Sequence, residues 1–184
     1  MIMPVFHRVS AEDHEMMYDF YQANADDPLL QQEFAGTLAE YASPLLSKAR
    51  AEQVYDPIQP ECAAELCFRP DISDGPIAIG WLTLSDQTVE SISGRFEYRG
   101  INIAAFVSEA HRGKGIGSQL MEKLVQDSHE LRSTLPEWGN RNLWTGIRPD
   151  NVPSQKMMNS VGFKRIGLLA DSPQYDFYVP TLTT

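Results

Sequence analysis

The sequence predicts an α/β fold of the mixed α+β kind, built as one domain. Three features carry that prediction. Short strands separated by turn residues run from Cys62 to Leu84. An apolar strand, Ile101 to Val107, passes through a glycine-rich turn into an amphipathic helix. A strand–helix–strand–strand series then occupies residues 142–179. Strands that pair directly in the middle of the chain and alternate with helices near its end give one sheet covered by helices. A chain of 184 residues is long enough for one real core and too short for two comfortable ones.

The elements follow in order. Pro4 to Val9 alternates as a short strand. Ser10 is a helix N-cap, with Asp13 in the first turn. The helix from Ala11 to about Asn24 sets Met16, Met17, Phe20 and Tyr21 on its apolar face, and Asp26-Asp27-Pro28 breaks it. A second helical stretch from Leu29 to Ala51 spaces Leu30, Phe34, Leu38, Tyr41 and Leu45 helically, with a division or kink at Pro44. Cys62 to Arg69 and Ile77 to Leu84 form a hairpin around the turn Pro70 to Pro76. Between Gln87 and Gly100 two readings stand: Arg95 to Arg99 extends the preceding sheet, or forms a loop. After the strand Ile101 to Val107, a helix from Gly117 to Leu131 places Leu120, Met121, Leu124 and Val125 on one face. Asn142 to Ile147 is a strand. Val152 to Val161 is a short helix opened by Pro153 and ended by Gly162. Phe163 to Leu169 and Tyr175 to Val179 are the last strands. Residues 1–184 thus read as a single domain, with a strand and two helices over 1–60, sheet and glycine turn over 61–131, and the strand–helix–strands over 132–184.

Composition excludes several functions. A net charge of -10 argues against a nucleic-acid partner, whose phosphates demand a basic footprint. It suits a cationic substrate drawn to an acidic surface. No apolar run approaches a membrane span, and no basic-then-apolar leader opens the chain, so the expected location is the cytoplasm, with no membrane partner. Cys62 and Cys67 share one strand at an odd offset and face opposite ways, so they read as small core residues rather than a disulfide. The histidines His7, His14, His111 and His129 have no ligand spacing, and no metal is expected.

The chemistry concentrates in His111-Arg112-Gly113-Lys114-Gly115-Ile116-Gly117-Ser118. Alternate glycines leave backbone N–H groups unobstructed, and the helix that follows adds its positive end. Together they make a cradle for phosphate, with Arg112 and Lys114 as further positive charge. A P-loop would need the lysine elsewhere, and Ser118 stands where a dinucleotide fingerprint needs its last glycine.

The pattern Arg112-x-x-Gly115-x-Gly117, five residues after the strand-ending Val107, resembles the coenzyme-A-binding motif of the GNAT superfamily of N-acetyltransferases. The segment from Asn151 to the Gly162-Phe163 pair is similar to the short helix that follows in that superfamily. The likeness is strongest from Ile101 to Phe163, and Ile79-Gly80-Trp81 in an earlier strand agrees with it.

The resemblance implies a twisted, mostly antiparallel sheet with a parallel, splayed strand pair at the cofactor site, flanked by about four helices. It implies acetyl-CoA as the cofactor and direct attack of a primary amine in a ternary complex. The amides of Arg112, Gly113, Lys114, Gly115, Ile116, Gly117 and Ser118 would hold the pyrophosphate of coenzyme A. Phe106 and Val107 would bond the pantetheine arm. Asn151 would contact it from the next strand–helix junction, with Ser154 in the same set. The Val107 N–H would face the thioester carbonyl, a donor of a kind whose removal costs about 2.7–4 kcal/mol elsewhere.

Two usual catalytic groups are missing. Many members carry a tyrosine acid four residues before the glycine of the Gly-Phe pair, where this chain has Met158. Those resembling ribosomal-protein alanine acetyltransferases place a glutamate five residues before the asparagine, where Gly146 stands. Either other residues serve, with Glu97, Tyr98 and Tyr175 the candidates beside Val107 and Tyr178 in the same last strand, or the enzyme relies on positioning and a solvent proton, or catalysis is lost. A non-catalytic acyl-CoA-binding or regulatory module and an acyltransferase for a longer acyl-CoA are the alternatives. The acceptor amine belongs to a small molecule, a peptide or a protein, and Asp26, Asp27, Asp171 and Asp176 could form an acidic mouth for it. A homodimer is common in the superfamily, and nothing in the sequence requires one.

Overall fold

In the computed structural model, residues 4–34, 62–68 and 75–181 are described. Among these residues nine strands form one sheet: β1 (Val5–Arg8), β2 (Cys62–Phe68), β3 (Pro76–Leu84), β4 (Gln87–Ser91), β5 (Gly94–Tyr98), β6 (Gly100–Val107), β7 (Asn142–Ile147), β8 (Phe163–Leu169) and β9 (Ser172–Pro180). The described helices are α1 (His14–Ala23), α2 (Ile116–Thr134), α3 (Pro136–Gly139) and α4 (Val152–Ser160). The strand order is β1-β2-β3-β6-β7-β9-β8-β4-β5. β6 and β7 are parallel, because the long α2 crossover joins them. The ladders β1–β2, β7–β9, β8–β9, β4–β8 and β4–β5 are antiparallel. The mixed architecture read from the sequence is therefore the observed one. The parallel ladder joins Gly100, Ile101 and Asn102 to Asn142, Leu143 and Trp144, and both strands then run on, to Val107 and to Ile147.

The chain forms two compact units, Met1–Trp81 with Ala105–Leu120, and Leu82–Ala104 with Met121–Thr184. In the first, Ser10 organises the start of α1. Its N–H and its hydroxyl both donate to Asp13 Oδ2, at 2.7 and 2.8 Å, and one 3-10 turn (Ala11–Asp13) precedes the α-helix. Met17 and Phe20 enter the core with Leu30, Leu66 and Ile79, whereas Met16 is exposed. Adjacent residues on a helix point about 100° apart, so the core takes one methionine of the pair. Phe20 meets Phe106 edge-on at 6.0 Å between centroids. Cys67 is buried, and burial pushes its thiol up to about 12, which makes it a core residue and no nucleophile. Of the second helical stretch, Leu30–Phe34 is a π-helical turn. The expectations on residues 35–51, with Leu38, Tyr41, Pro44 and Leu45, and on the turn residues 70–74 lie outside the described residues.

In the second unit the ambiguous stretch 87–100 resolves into a hairpin. β4 and β5 pair across the two-residue loop Ile92-Ser93, and β4 then pairs with β8 through Val89↔Leu169 and Glu90↔Leu168. Gly167 makes that second ladder possible. A methyl group at Gly167 would collide with the Glu90 carbonyl oxygen and press on Val89 Cγ1 at 3.2 Å. We expect Gly167→Ala to cost about 1–3 kcal/mol through overpacking, read as a lowered Tm with weakened amide protection in β4. Beneath the hairpin lies a core of Val89, Trp144, Leu169, Phe177 and Val179. Phe177 stacks on Trp144 (5.5 Å, 23°) and receives Tyr98 edge-on (5.1 Å, 76°). The sequence reading passed over α3, although a proline opens it and a glycine ends it. Its Trp138 is among the most buried side chains of the chain. No described helix is long and apolar enough to cross a membrane.

Candidate functional site

β6 ends at Val107, and one 3-10 turn, Glu109–His111, leads into the glycines. Ser108 anchors this exit. Its N–H and its hydroxyl both donate to the Ile77 carbonyl, at 3.0 and 2.9 Å. Ser108 Oγ also lies 2.8 Å from His111 Nδ1.

Gly113 and Gly115 have φ of +72° and +78°, the left-handed region that side chains avoid, on either side of Lys114. A methyl group at Gly113 would meet nothing within 4 Å, and one at Gly115 only the Gln119 side-chain nitrogen at 3.9 Å. The space a side chain would take at either glycine is therefore open. Consecutive amides in such a turn make an anion-binding concavity. The first intrahelical bond of α2 runs from the Gln119 N–H to the Gly115 carbonyl, at 3.2 Å. The N–H groups of Ile116, Gly117 and Ser118 consequently have no acceptor within the helix. Gly117 lies in the first helical turn without a positive φ, so it matters as bare backbone near a ligand and not for conformational freedom.

Arg112 does something the sequence did not show. Its N–H is taken by the Glu109 carbonyl at 3.2 Å. Its Nε donates to the Val107 carbonyl at 3.0 Å, and one terminal nitrogen donates to Asp27 Oδ2 at 2.6 Å. The guanidinium lies 5.4 Å from the Phe106 ring centroid. It is thus turned back on the strand end, and the open amides are those of residues 113–118. Lys114 Nζ donates to the Ala110 carbonyl at 2.6 Å from an exposed position. Asp27, which the sequence offered only for an acidic mouth, is instead the partner of Arg112. Its Oδ1 accepts from the N–H groups of Leu29 and Leu30, at 2.9 and 3.4 Å, while Oδ2 holds Arg112. The available signal was an N-cap aspartate ahead of Pro28-Leu29-Leu30.

In the other unit, Asn151 caps α4: its Oδ1 accepts from the Ser154 N–H at 3.2 Å. That leaves the amide Nδ2 as the end able to donate to a ligand. Met158 is buried in α4. A methyl group at Gly146 would lie 3.1 Å from Leu169 Cδ1 and 3.5 Å from Tyr175 Cβ, so those two residues fill the place a longer side chain would take. Tyr98 donates its hydroxyl to the Leu143 carbonyl at 3.2 Å, and burial pushes its phenol up against a smaller opposing pull from Arg132. Glu97 is exposed and accepts from the Thr88 hydroxyl at 2.9 Å. The Tyr178 phenol is also pushed up, by burial and then by Asp176, with Arg165 opposing. Of the four acidic residues nominated for a cationic mouth, Asp27 is held by Arg112, and Asp176 lies 2.7 Å from Arg165 Nε. Asp26 and Asp171 are exposed.

The sequence profile of the acetyltransferase (GNAT) family matches residues 35–163. No curated protein matches the sequence significantly. Among solved structures, the PaiA N-acetyltransferase from Thermoplasma acidophilum in complex with coenzyme A superposes with a TM-score of 0.63 at 11% identity, over 98% of this chain and 100% of that one. The ribosomal-protein-S5-alanine acetyltransferase from Vibrio fischeri gives 0.64 at 13% identity, over 96% and 90%. A GNAT-family acetyltransferase from Streptococcus pneumoniae gives 0.61 at 13% identity, over 97% and 100%. At these identities the superpositions establish a shared fold.

Proposed function

This chain belongs to the acetyltransferase (GNAT) family, and we propose that it moves an acetyl group from acetyl-CoA to a primary amine. The observation that carries this reading is the open, left-handed Gly113–Gly115 turn, which runs from the end of β6 into α2. In this reading the amides of residues 113–118 hold the pyrophosphate. Phe106 and Val107 hold the pantetheine arm along the strand end. The Val107 N–H steadies the negative charge that grows on the thioester oxygen as the amine adds. A lysine-like amine has a pKa of about 10.4 and must lose a proton to attack; the departing thiolate must gain one.

Among the side chains nominated for proton transfer, we choose Tyr175. Tyr175 stands against Gly146, the position where the resemblance would place a catalytic glutamate. Tyr175→Phe keeps the ring and removes only the hydroxyl. It is expected to lower kcat about a hundredfold with little change in KM for acetyl-CoA. An unchanged kcat would take Tyr175 out of the chemistry.

The test of the function is release of free thiol from acetyl-CoA against a panel of primary amines and N-terminal peptides, with thermal stabilisation measured alongside. Stabilisation by acetyl-CoA and not by ATP or NAD, with turnover on at least one amine, is the expected result. The buried Met158 and the filled space at Gly146 favour a second reading, a binding module without turnover. Stabilisation with no thiol release on any amine would select it. No stabilisation by acetyl-CoA would end both.

A further inference from the structure

The β8–β9 ladder pairs Leu168 with Asp176 and the next residue, Leu169, with Ser172. Pro173, Gln174 and Tyr175 of β9 are therefore passed over by β8. An irregularity of this kind re-aims the side chains it carries. Here it lays Tyr175 back over β7. The methyl group that Gly146 lacks would lie 3.5 Å from Tyr175 Cβ, 3.8 Å from Tyr175 Cδ1 and 3.1 Å from Leu169 Cδ1. Gly146 and Tyr175 are half-buried and Leu169 is 7% exposed, so the solvent side of this spot is Gly146 and Tyr175. We infer that it seats the group next to the acceptor's nitrogen, and that Tyr175 and Leu169 select an amine whose substituent is apolar, aromatic or branched. The inference rests on the acetyl-transfer reading, in which Gly146 marks the reacting end.

The alternation of the strands decides the chemistry of the seat. Gly146 pairs with Phe177, and Phe177 stacks on Trp144, so Trp144, Gly146, Phe177 and Val179 share one face, and Tyr175 lies on it beside Gly146. Val89 pairs with Leu169 and with Phe96, and Tyr98 packs on Phe177, which carries the same face across β8, β4 and β5. The acidic residues of these strands point the other way. Asp176 pairs with Ile147, the neighbour of Gly146, and lies 2.7 Å from Arg165 Nε. Glu90 and Glu97 alternate with Val89 and Phe96. Two cations stand at the margins of the face. Lys164 is opposite Val179, at the far end of β8, and Arg148 follows β7 with its guanidinium on Asp150 at 3.1 Å. A second ammonium on the acceptor would meet no carboxylate on these strands and would lose hydration without a counter-charge. An apolar group is buried against a phenol ring and a leucine instead. Asp176, nominated from the sequence for a cationic mouth, does not serve one on this face.

The test compares thiol release from acetyl-CoA with phenethylamine, isopentylamine, ethylamine and putrescine as acceptors. The expected kcat/KM for the first two exceeds that for ethylamine and putrescine about tenfold or more. Tyr175→Phe keeps the ring, so this ratio should persist even as kcat falls. Tyr175→Ala and Leu169→Ala each remove one wall and should cut the ratio about fivefold or more. Saturation-transfer NMR on the wild-type chain with coenzyme A present gives a second readout that needs neither turnover nor a folded variant. Phenethylamine should bind, isopentylamine should displace it, and putrescine should not. Binding with that preference but no thiol release on any amine upholds the seat and overturns acetyl transfer. Turnover that favours putrescine, or that is indifferent among the amines, leaves acetyl transfer standing and overturns the seat. So does a preference that both alanine variants leave unmoved.

Discussion

Gly115→Glu is expected to abolish binding of acetyl-CoA while the protein stays folded. Gly115 holds a φ of +78°, where an L-residue costs about 1–2 kcal/mol. That strain lowers Tm but does not unfold a domain, and the space beside Gly115 is open apart from the Gln119 amide at 3.9 Å. The new side chain therefore fits the protein and fills the concavity instead. Its carboxylate repels a pyrophosphate and competes for the same amides. Losing two hydrogen bonds to a charged ligand removes about 3–6 kcal/mol, or a factor of about 10²–10⁴ in affinity. Gly115→Ala is the control, because it carries the same backbone strain without the charge. It should show a similar drop in Tm and a much smaller loss of affinity. Isothermal titration gives the affinity, and thermal melts without ligand give the strain. A folded Gly115→Glu protein that binds acetyl-CoA as the wild type does would remove the glycine turn from the site.

The joint between β6 and α2 was legible because three local signals agree there: an apolar run, alternate glycines and helical periodicity. What escaped the sequence was non-local or locally ambiguous. Asp27 and Arg112 are 85 positions apart, and the string Asp26-Asp27-Pro28 reads as a helix break whether or not its second carboxylate is buried. The β4–β5 hairpin has short, polar strands with one fully buried side chain, Val89, so its alternation is faint, and its pairing with β8 depends on the missing side chain at Gly167. The departures at Met158 and Gly146 were visible as residues. What fills the space beside Gly146 was not, because Tyr175 and Leu169 come from other strands. Arg112 shows the same limit within the motif: its position suggested a phosphate ligand, and the buried carboxylate of Asp27 outbids a solvent-exposed ligand for the guanidinium.

Breaking the Asp27–Arg112 pair should therefore loosen the strand end from which the chemistry is proposed to run. The Asp27 side chain is 5% exposed and that of Arg112 34%, so the pair is half screened. Asp27→Asn keeps an acceptor for the Leu29 and Leu30 amides and removes only the charge facing Arg112. The full penalty for orphaning one member of a buried pair is about 3–5 kcal/mol, and the solvent reaching Arg112 reduces it, so about 1–3 kcal/mol is expected. Asp27→Ala also removes the cap and should cost about 1 kcal/mol more. Arg112→Met keeps an apolar stem against Phe106 but strands the Asp27 carboxylate and frees the Val107 carbonyl. It is expected to be the most damaging of the three, at the upper end of the ~3–5 kcal/mol range. Because Arg112 donates to the carbonyl of the residue whose N–H is assigned to the thioester oxygen, kcat should fall beyond what the unfolded fraction explains. The decisive measurement is a double-mutant cycle of Asp27→Asn and Arg112→Met by denaturant unfolding and by kcat. If the pair acts as one strut, the double variant loses about as much as Arg112→Met alone. Simple additivity in both readouts would mean that the two residues act separately, and that the strand end is held by the Ser108 bonds to Ile77 instead.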